Sequence, residues 1–406
     1  MILPRQINHK RLHFYLVLLT AFSLSSVRFA PLFIILMVIN WFLEGDFKNK
    51  FSNTKNNIYS FLFCSLFLVY LFGLLHTSNM QSGKFDIQVK LSLFAFPLLL
   101  LNSNFDKKEI SKILMAFIFG CFLTSIICFF YAIYSYFALA KNIFFYESFT
   151  NIIDLHPSYF SMYLNTAIAF LLLYLLNNNN LKNKYWNILI CFFILYFSFI
   201  VVLLSSKMGI ITMLLLFLLF FTFYIIRNKK YFLGLTGIVT LVFLFIGVMK
   251  FVPEVKGRIQ NALTAVNDSK SLANTDVEST GVRILVWRAA EDVIQEHFWF
   301  GTGTGDVKDV LMRKYKEKGL TGAYDHQLNA HNQYLETFAA TGIIGFLILL
   351  ANFIIPIYVS VKKNNKFFLA FMLIIILNFL TESMFDREAG VLFFAFFNSF
   401  LFFNFA

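Results

Sequence analysis

The chain has 406 residues, 59% of them hydrophobic and 14% charged, with a formal net charge of +12 and a mean hydropathy of +0.70. A soluble globular protein is excluded, because repeated apolar runs of about 18 or more residues mark membrane-spanning helices. The positive charge does not point to nucleic acid: Lys and Arg sit in short links between apolar runs, where they orient a membrane protein.

The runs are continuous, not alternating, and hydrocarbon tolerates no unpaired backbone, so the spans are helices and not a barrel. They are expected near 12–26, 29–43, 58–76, 87–101, 110–136, 157–176, 186–204, 208–226, 231–251, 332–361, 367–381 and 389–405. The fold class is an all-α polytopic membrane protein of about twelve transmembrane helices. The 56 phenylalanines suit lipid-facing helices. Arg5, Lys10 and Arg11 precede the first run, which reads as a retained helix and not a cleaved leader.

Every other link is basic. One set carries Arg5/Lys10/Arg11, Lys48/Lys50/Lys55, Lys107/Lys108, Lys182/Lys184, Arg227/Lys229/Lys230 and Lys362/Lys363/Lys366. The alternate set carries only Arg28, Lys84, Lys141, Lys207 and Arg387 in its short links. Both ends are therefore expected in the cytoplasm. Three parts follow: helices over 1–251, a polar outward loop over 252–330, and helices over 331–406. Within the loop, Val286, Ala290, Val293 and Ile294 recur at helical spacing, predicting an amphipathic helix over 283–297. Residues 266–281 are rich in Asn, Ser, Thr and Asp and read as flexible. Cys64, Cys121, Cys128 and Cys191 all lie in apolar segments, with no disulfide framework or metal spacing.

His331 stands at the last step of the loop, directly before a strongly apolar helix. That address puts an ionisable group beside both lipid and water. His331-Asn332, nine residues, then Gly342-Ile343-Ile344-Gly345 resembles the signature of the O-antigen ligase and polymerase superfamily. Arg283-Ile284-Leu285-Val286-Trp287 and His297-Phe298-Trp299-Phe300-Gly301-Thr302-Gly303 are similar to its loop pattern, with Phe298 in place of the usual proline. The likeness covers the chain from about 200 onward, together with His156-Pro157-Ser158-Tyr159.

The resemblance implies a GT-C type membrane glycosyltransferase of the bacterial inner membrane, its active site facing the periplasm. It would take a glycan from undecaprenyl pyrophosphate and pass it to a lipid A-core sugar, to another carrier-linked glycan, or to a protein. It implies no nucleotide sugar, no cofactor and no metal. His331 would activate or position the acceptor hydroxyl. Arg283 would bind the pyrophosphate, having no acid within helical reach, whereas Arg288 has Glu291 and Asp292 and reads as a solvated ion pair. Lys207, in Ser205-Ser206-Lys207-Met208-Gly209, stands where the family usually has arginine and would add a second cation; snorkelling to the interface is its structural alternative.

His156 lies at the mouth of the sixth span, with Asp154 nearby as a cap. Glu382, Asp386 and Arg387 share the turn between the last two spans, where a carboxylate would orient an acceptor or pair with Arg387. Gly301, Gly303 and Gly305 read as a flexible turn that could hinge the loop, not a dinucleotide fingerprint. Gly342 and Gly345 read as sites of close helix packing. A transporter is the rival class, and the absence of a visible repeat argues against it.

Overall fold

The computed structural model describes residues 4–26, 28–177, 184–229, 231–251, 253–267 and 280–405. Lys182, Lys230 and most of the 266–281 stretch lie outside the described residues.

Among the described residues all regular structure is helical. In chain order the α-helices are α1 (Pro4–Ser23), α2 (Ala30–Glu44), α3 (Phe47–Asn56), α4 (Ile58–Gly73), α5 (Met80–Lys90), α6 (Ser92–Leu101), α7 (Lys107–Leu139), α8 (Tyr146–Thr150), α9 (Pro157–Asn177) and α10 (Lys184–Leu203). They continue as α11 (Lys207–Asn228), α12 (Tyr231–Phe251), α13 (Pro253–Asn267), α14 (Thr280–Glu296), α15 (Val307–Glu317), α16 (Thr321–Asp325), α17 (Gln333–Lys362), α18 (Lys366–Phe379) and α19 (Glu388–Phe405).

Each expected span falls on helix. Seven helices among the described residues are long and apolar enough to cross a membrane: Ile58–His76, α7, Pro157–Leu176, α10, Lys207–Arg227, α17 and α19. The pair α2 and α3 bends by 113° and makes an eighth if it is one span. The run expected over 87–101 is divided instead between α5 and α6, and α18 is a shorter apolar helix of 14 residues. The chain is a multi-pass membrane protein.

It divides into two compact units, one of residues 1–116 with 264–406 and the other of residues 117–263. In the first unit α19 is not a lipid-facing helix, because 78% of its apolar window is buried in protein. Phe393 and Phe397 pack tilted and Phe394 stacked against Phe371, while Phe379 and Phe385 meet Phe394. Part of the phenylalanine surplus is thus core. Flat rings fill the space between these helices and gain quadrupolar contacts beyond their burial.

The predicted amphipathic helix forms as α14. Val282, Val286, Ala289, Ala290, Val293 and Ile294 line its buried face. They pack on Leu311 and Tyr315 of α15, Leu320, Ala323 of α16, Ala330 and Ala339. This small apolar core binds the polar loop to the first turns of α17.

Helix α17 is broken at Gly342, whose φ of 67° and ψ of −168° no residue with a side chain adopts comfortably. The break frees backbone groups that a turn from the polar loop then satisfies. Ile343 N–H donates to Phe298 C=O (2.9 Å), Thr302 N–H to Ala339 C=O (2.8 Å) and Gly303 N–H to Ala340 C=O (3.1 Å). Gly301 and Gly303 take φ values of 71° and 99° to lie flat against this break. The glycine turn is therefore wedged, not free to hinge. Gly342 serves the kink, while Gly345 faces Val69 of α4 and does permit close packing.

Past the break, Ile343 to Lys362 spans 20 residues. At 1.5 Å each this is about 30 Å, one bilayer core. The expected span over 332–361 coincides with α17, Gln333–Lys362. Gly342→Ala should destabilise the protein by about 1–3 kcal/mol from backbone strain alone, and further because its Cβ would collide with the Trp299 carbonyl. Gly247→Ala, where a Cβ meets nothing, should leave the melting temperature in detergent level or higher.

Candidate functional site

The site grows from the start of α17. Asn332 caps that helix, its side chain accepting from Tyr334 and Leu335 N–H. His331, one residue outside, is held at φ 45°, a left-handed conformation rare for a residue with a side chain. Its N–H donates to Asn329 Oδ1 (3.0 Å). Such strain concentrates where a side chain must be aimed.

The imidazole is aimed at Glu382. His331 Nδ1 lies 3.4 Å from Glu382 Oε2, and Arg283 Nη2 donates to Glu382 Oε1 at 2.7 Å. One carboxylate thus gathers a guanidinium from 99 residues away and an imidazole from 51. Glu382 is nearly buried, with 8% of its side chain exposed, whereas Arg283 and His331 are 26% and 25% exposed. The pair of nitrogen groups therefore opens to solvent around a buried acid. A carboxylate only accepts, so in the neutral ring the proton sits on Nδ1 and Nε2 is left as the accepting nitrogen.

Three expectations change. Arg283 does have an acid partner, supplied by the turn after α18 and not by its own helix. Glu382 turns inward to Arg283, while Arg387 at the mouth of α19 is exposed. Asp292, proposed as a partner for Arg288, forms an ion pair with Lys318.

Beneath this trio lies a polar layer that joins the 329–337 and 380–386 segments. Glu336 is buried and accepts from Ala330 N–H (2.8 Å) and Ser383 Oγ–H (3.4 Å). Asn332 N–H donates to Ser383 Oγ (3.3 Å), Phe385 N–H donates to Gln333 Oε1, and Asn329 Nδ2 donates to Asp386 Oδ2 (2.7 Å). All but the Ala330–Glu336 bond link the stretch of chain bearing His331 to the turn bearing Glu382. Removal from water pushes the Asp386 carboxyl up to about 6, against the pull of Lys90, with Asp86 pushing the same way as burial. Asn329 and His331 lower it more weakly. Lys90 is fully buried, 2.6 Å from Asp86 and over the Tyr70 ring.

Sequence reading passed over Glu336, Asn329, Gln333, Asp86 and Lys90. The available signals were a charge on the first turn of an apolar helix and an acid–base pair at i,i+4.

Lys207 and His156 belong to the second unit. Lys207 opens α11, with Ser206 capping Gly209 N–H (3.2 Å). His156 precedes Pro157 at the mouth of α9. Its Nε2 lies 3.2 Å from Glu147 Oε1, and its Nδ1 accepts from Ser158 N–H (3.3 Å). The ring of His156 itself thus caps α9, the role expected of Asp154. Asn165 Nδ2 donates to Gly209 C=O (2.9 Å) and Gly209 abuts Ser161. The starts of α9 and α11, with His156 and Lys207, therefore share one end of this unit.

The family model described as O-antigen ligase matches residues 191–350. The match takes in Lys207, Arg283 and His331 and stops short of Glu382. A curated relative, an uncharacterized protein of Haemophilus influenzae (strain ATCC 51907 / DSM 11121 / KW20 / Rd), is 28% identical over 144 residues, covering 34% of each chain. The chain thus spans about a third of the length of the curated relative it matches.

Glu336→Ala leaves the Ala330 N–H buried and unpaired and should cost about 1–3 kcal/mol, read as earlier thermal unfolding; Glu336→Gln, which still accepts, should recover most of it. Asp386 holds its proton in the folded state to about 6, against 3.8 for the free side chain. Its ionisation therefore removes stability as pH rises through that interval. Asp386→Asn should flatten the fall of melting temperature across that window; an unchanged slope would assign the titration elsewhere.

Proposed function

From its membership of the O-antigen ligase and polymerase superfamily, supported by the match over residues 191–350, we propose that the chain is a glycosyltransferase using a polyprenyl diphosphate-linked glycan. The donor is undecaprenyl pyrophosphate-linked, and the acceptor is a hydroxyl, in the ligase reading that of a lipid A-core sugar. The site works at the periplasmic face of the bacterial inner membrane, on a GT-C type scaffold of about twelve spans. The observation that carries this is the shared carboxylate. Arg283 and His331 reach the two oxygens of one small anion, so both can reach a second anion of similar size.

In the resting site Glu382 neutralises Arg283 and sets the His331 tautomer. The donor diphosphate takes over the guanidinium, which binds phosphate oxygens bidentately and stays charged at any working pH. Lys207, which stands where the family usually has arginine, is proposed as a further cation for a diphosphate. The acceptor hydroxyl gives its proton to His331 Nε2 while its oxygen attacks C1 of the donor sugar. The C1–O bond breaks with its electron pair on the diphosphate, and undecaprenyl pyrophosphate leaves. Arg283 meets the charge that grows there, where a fixed cation favours the transition state over the ground state. A single displacement inverts the anomeric centre. Glu382 orients the imidazole and stabilises it once protonated, as a carboxylate does in a catalytic triad.

Transfer from a defined carrier-linked glycan in vitro tests this. His331→Ala should lower kcat by about 10²–10⁴-fold, the usual contribution of a positioned base, with the protein still inserted. Arg283→Ala should raise KM for the donor and lower kcat, with Arg283→Lys intermediate. Lys207→Arg should keep activity that Lys207→Ala loses; equal activity in both would leave Lys207 as an interfacial snorkel. Full transfer by His331→Ala would remove the imidazole from the chemistry. Full activity with a chelator present is also expected, and strict metal dependence would contradict the reading.

A further inference from the structure

We propose that the Phe298-Trp299-Phe300 turn is an interfacial anchor that seats the polar helical domain on the outer surface of the bilayer. Three adjacent aromatics in a polar loop are 42%, 68% and 67% exposed. A soluble surface rarely leaves such a patch uncovered, and an exposed apolar patch marks an interaction site.

Its position names the occupant. The backbone of this turn is bonded to both sides of the Gly342 break, through Phe298 C=O, Thr302 N–H and Gly303 N–H. The membrane-crossing part of α17 begins at that break. Ile344 (48%), Leu347 (56%), Ile354 (63%), Tyr358 (58%) and Val361 (60%) form one exposed apolar stripe along it. Their spacing keeps them on one helical face, which lipid must cover in a membrane protein. The aromatic turn lies at the upper end of this span, where hydrocarbon gives way to headgroups. Trp and other amphipathic rings are enriched at that level.

The rings are also fixed in place. Phe298 packs on Phe338, which stacks on Phe346 across the break at 4.9 Å. A Cβ on Gly301 or Gly342 would strike the opposing backbone. The turn therefore presents Trp299 and Phe300 rigidly and does not hinge. It leads directly out of α14, so anchoring it sets the height above the membrane of the helix that carries Arg283. This inference rests on the membrane-spanning architecture and is independent of the proposed reaction.

The test places a nitroxide at Phe300→Cys in the full chain, with Cys191→Ser removing the exposed native thiol. The protein is reconstituted in vesicles of phosphatidylethanolamine and phosphatidylglycerol. The label should collide more often with oxygen than with a water-soluble nickel chelate, as a label at lipid-facing Ile354→Cys does. A label at Glu317→Cys on α15, 53% exposed, should show the reverse. If Phe300→Cys folds poorly, the native Trp299 gives the same reading. The emission lost in Trp299→Phe should be quenched by lipids brominated near the headgroup and spared by aqueous iodide. A label that behaves like the α15 control, or a Trp299 quenched by iodide alone, overturns the anchor. So does a Trp299 shielded from both quenchers, which would mean that a second copy of the chain or another protein covers it.

Discussion

A nearly buried carboxylate next to a membrane is costly unless charge and hydrogen bonds meet it. Glu382 is met by a guanidinium and an imidazole brought from distant parts of the chain. That requirement holds α14, the start of α17 and the turn after α18 in one arrangement. The polar layer does similar work, since Glu336, Asn329, Gln333 and Ser383 tie the His331 segment to the Glu382 turn. Aiming and stability therefore share the same bonds. A left-handed histidine persists only where its surroundings determine it several times over.

The second organising feature is the broken helix. Gly342 divides α17 into a short first part that follows His331 and a second part of 20 residues, about one bilayer core in length. The turn from the polar loop supplies hydrogen bonds at the break, so the irregular backbone is paired within protein. The loop and the span thus fold as one piece. The buried face of α14 reaches Ala330 and Ala339 from the same side. In this way Arg283, on α14, acquires a fixed place relative to His331 at the start of α17.

Much of this was legible in the chain. Continuous apolar runs gave the helices, because lipid leaves the backbone no other option. The apolar positions of 283–297 gave α14, because one buried stripe at helical period has one reading. His331 and Arg283 stood out by residue type and by the family likeness. Three things were not legible. Gly342 reads as a packing residue as easily as a positive-φ break, since glycine serves both. Glu382 could not be matched to Arg283 across 99 residues, because no local rule reports a long-range pair. Lys90 and Glu336 sit within apolar stretches, where a sequence cannot tell a buried, satisfied charge from one that turns to water. The phenylalanines of α19 fall in the same class, because lipid and protein core favour the same side chain.

Glu382 holds the guanidinium and the imidazole, and a diphosphate bound as proposed would have to compete with it. The most direct measurement is the structure of the chain in a lipid nanodisc with bound undecaprenyl pyrophosphate. The account predicts phosphate oxygens on Arg283, the Arg283–Glu382 contact lengthened or broken, and His331 Nε2 facing the space where an acceptor would lie. A diphosphate bound elsewhere, with Arg283 still paired to Glu382, would contradict it.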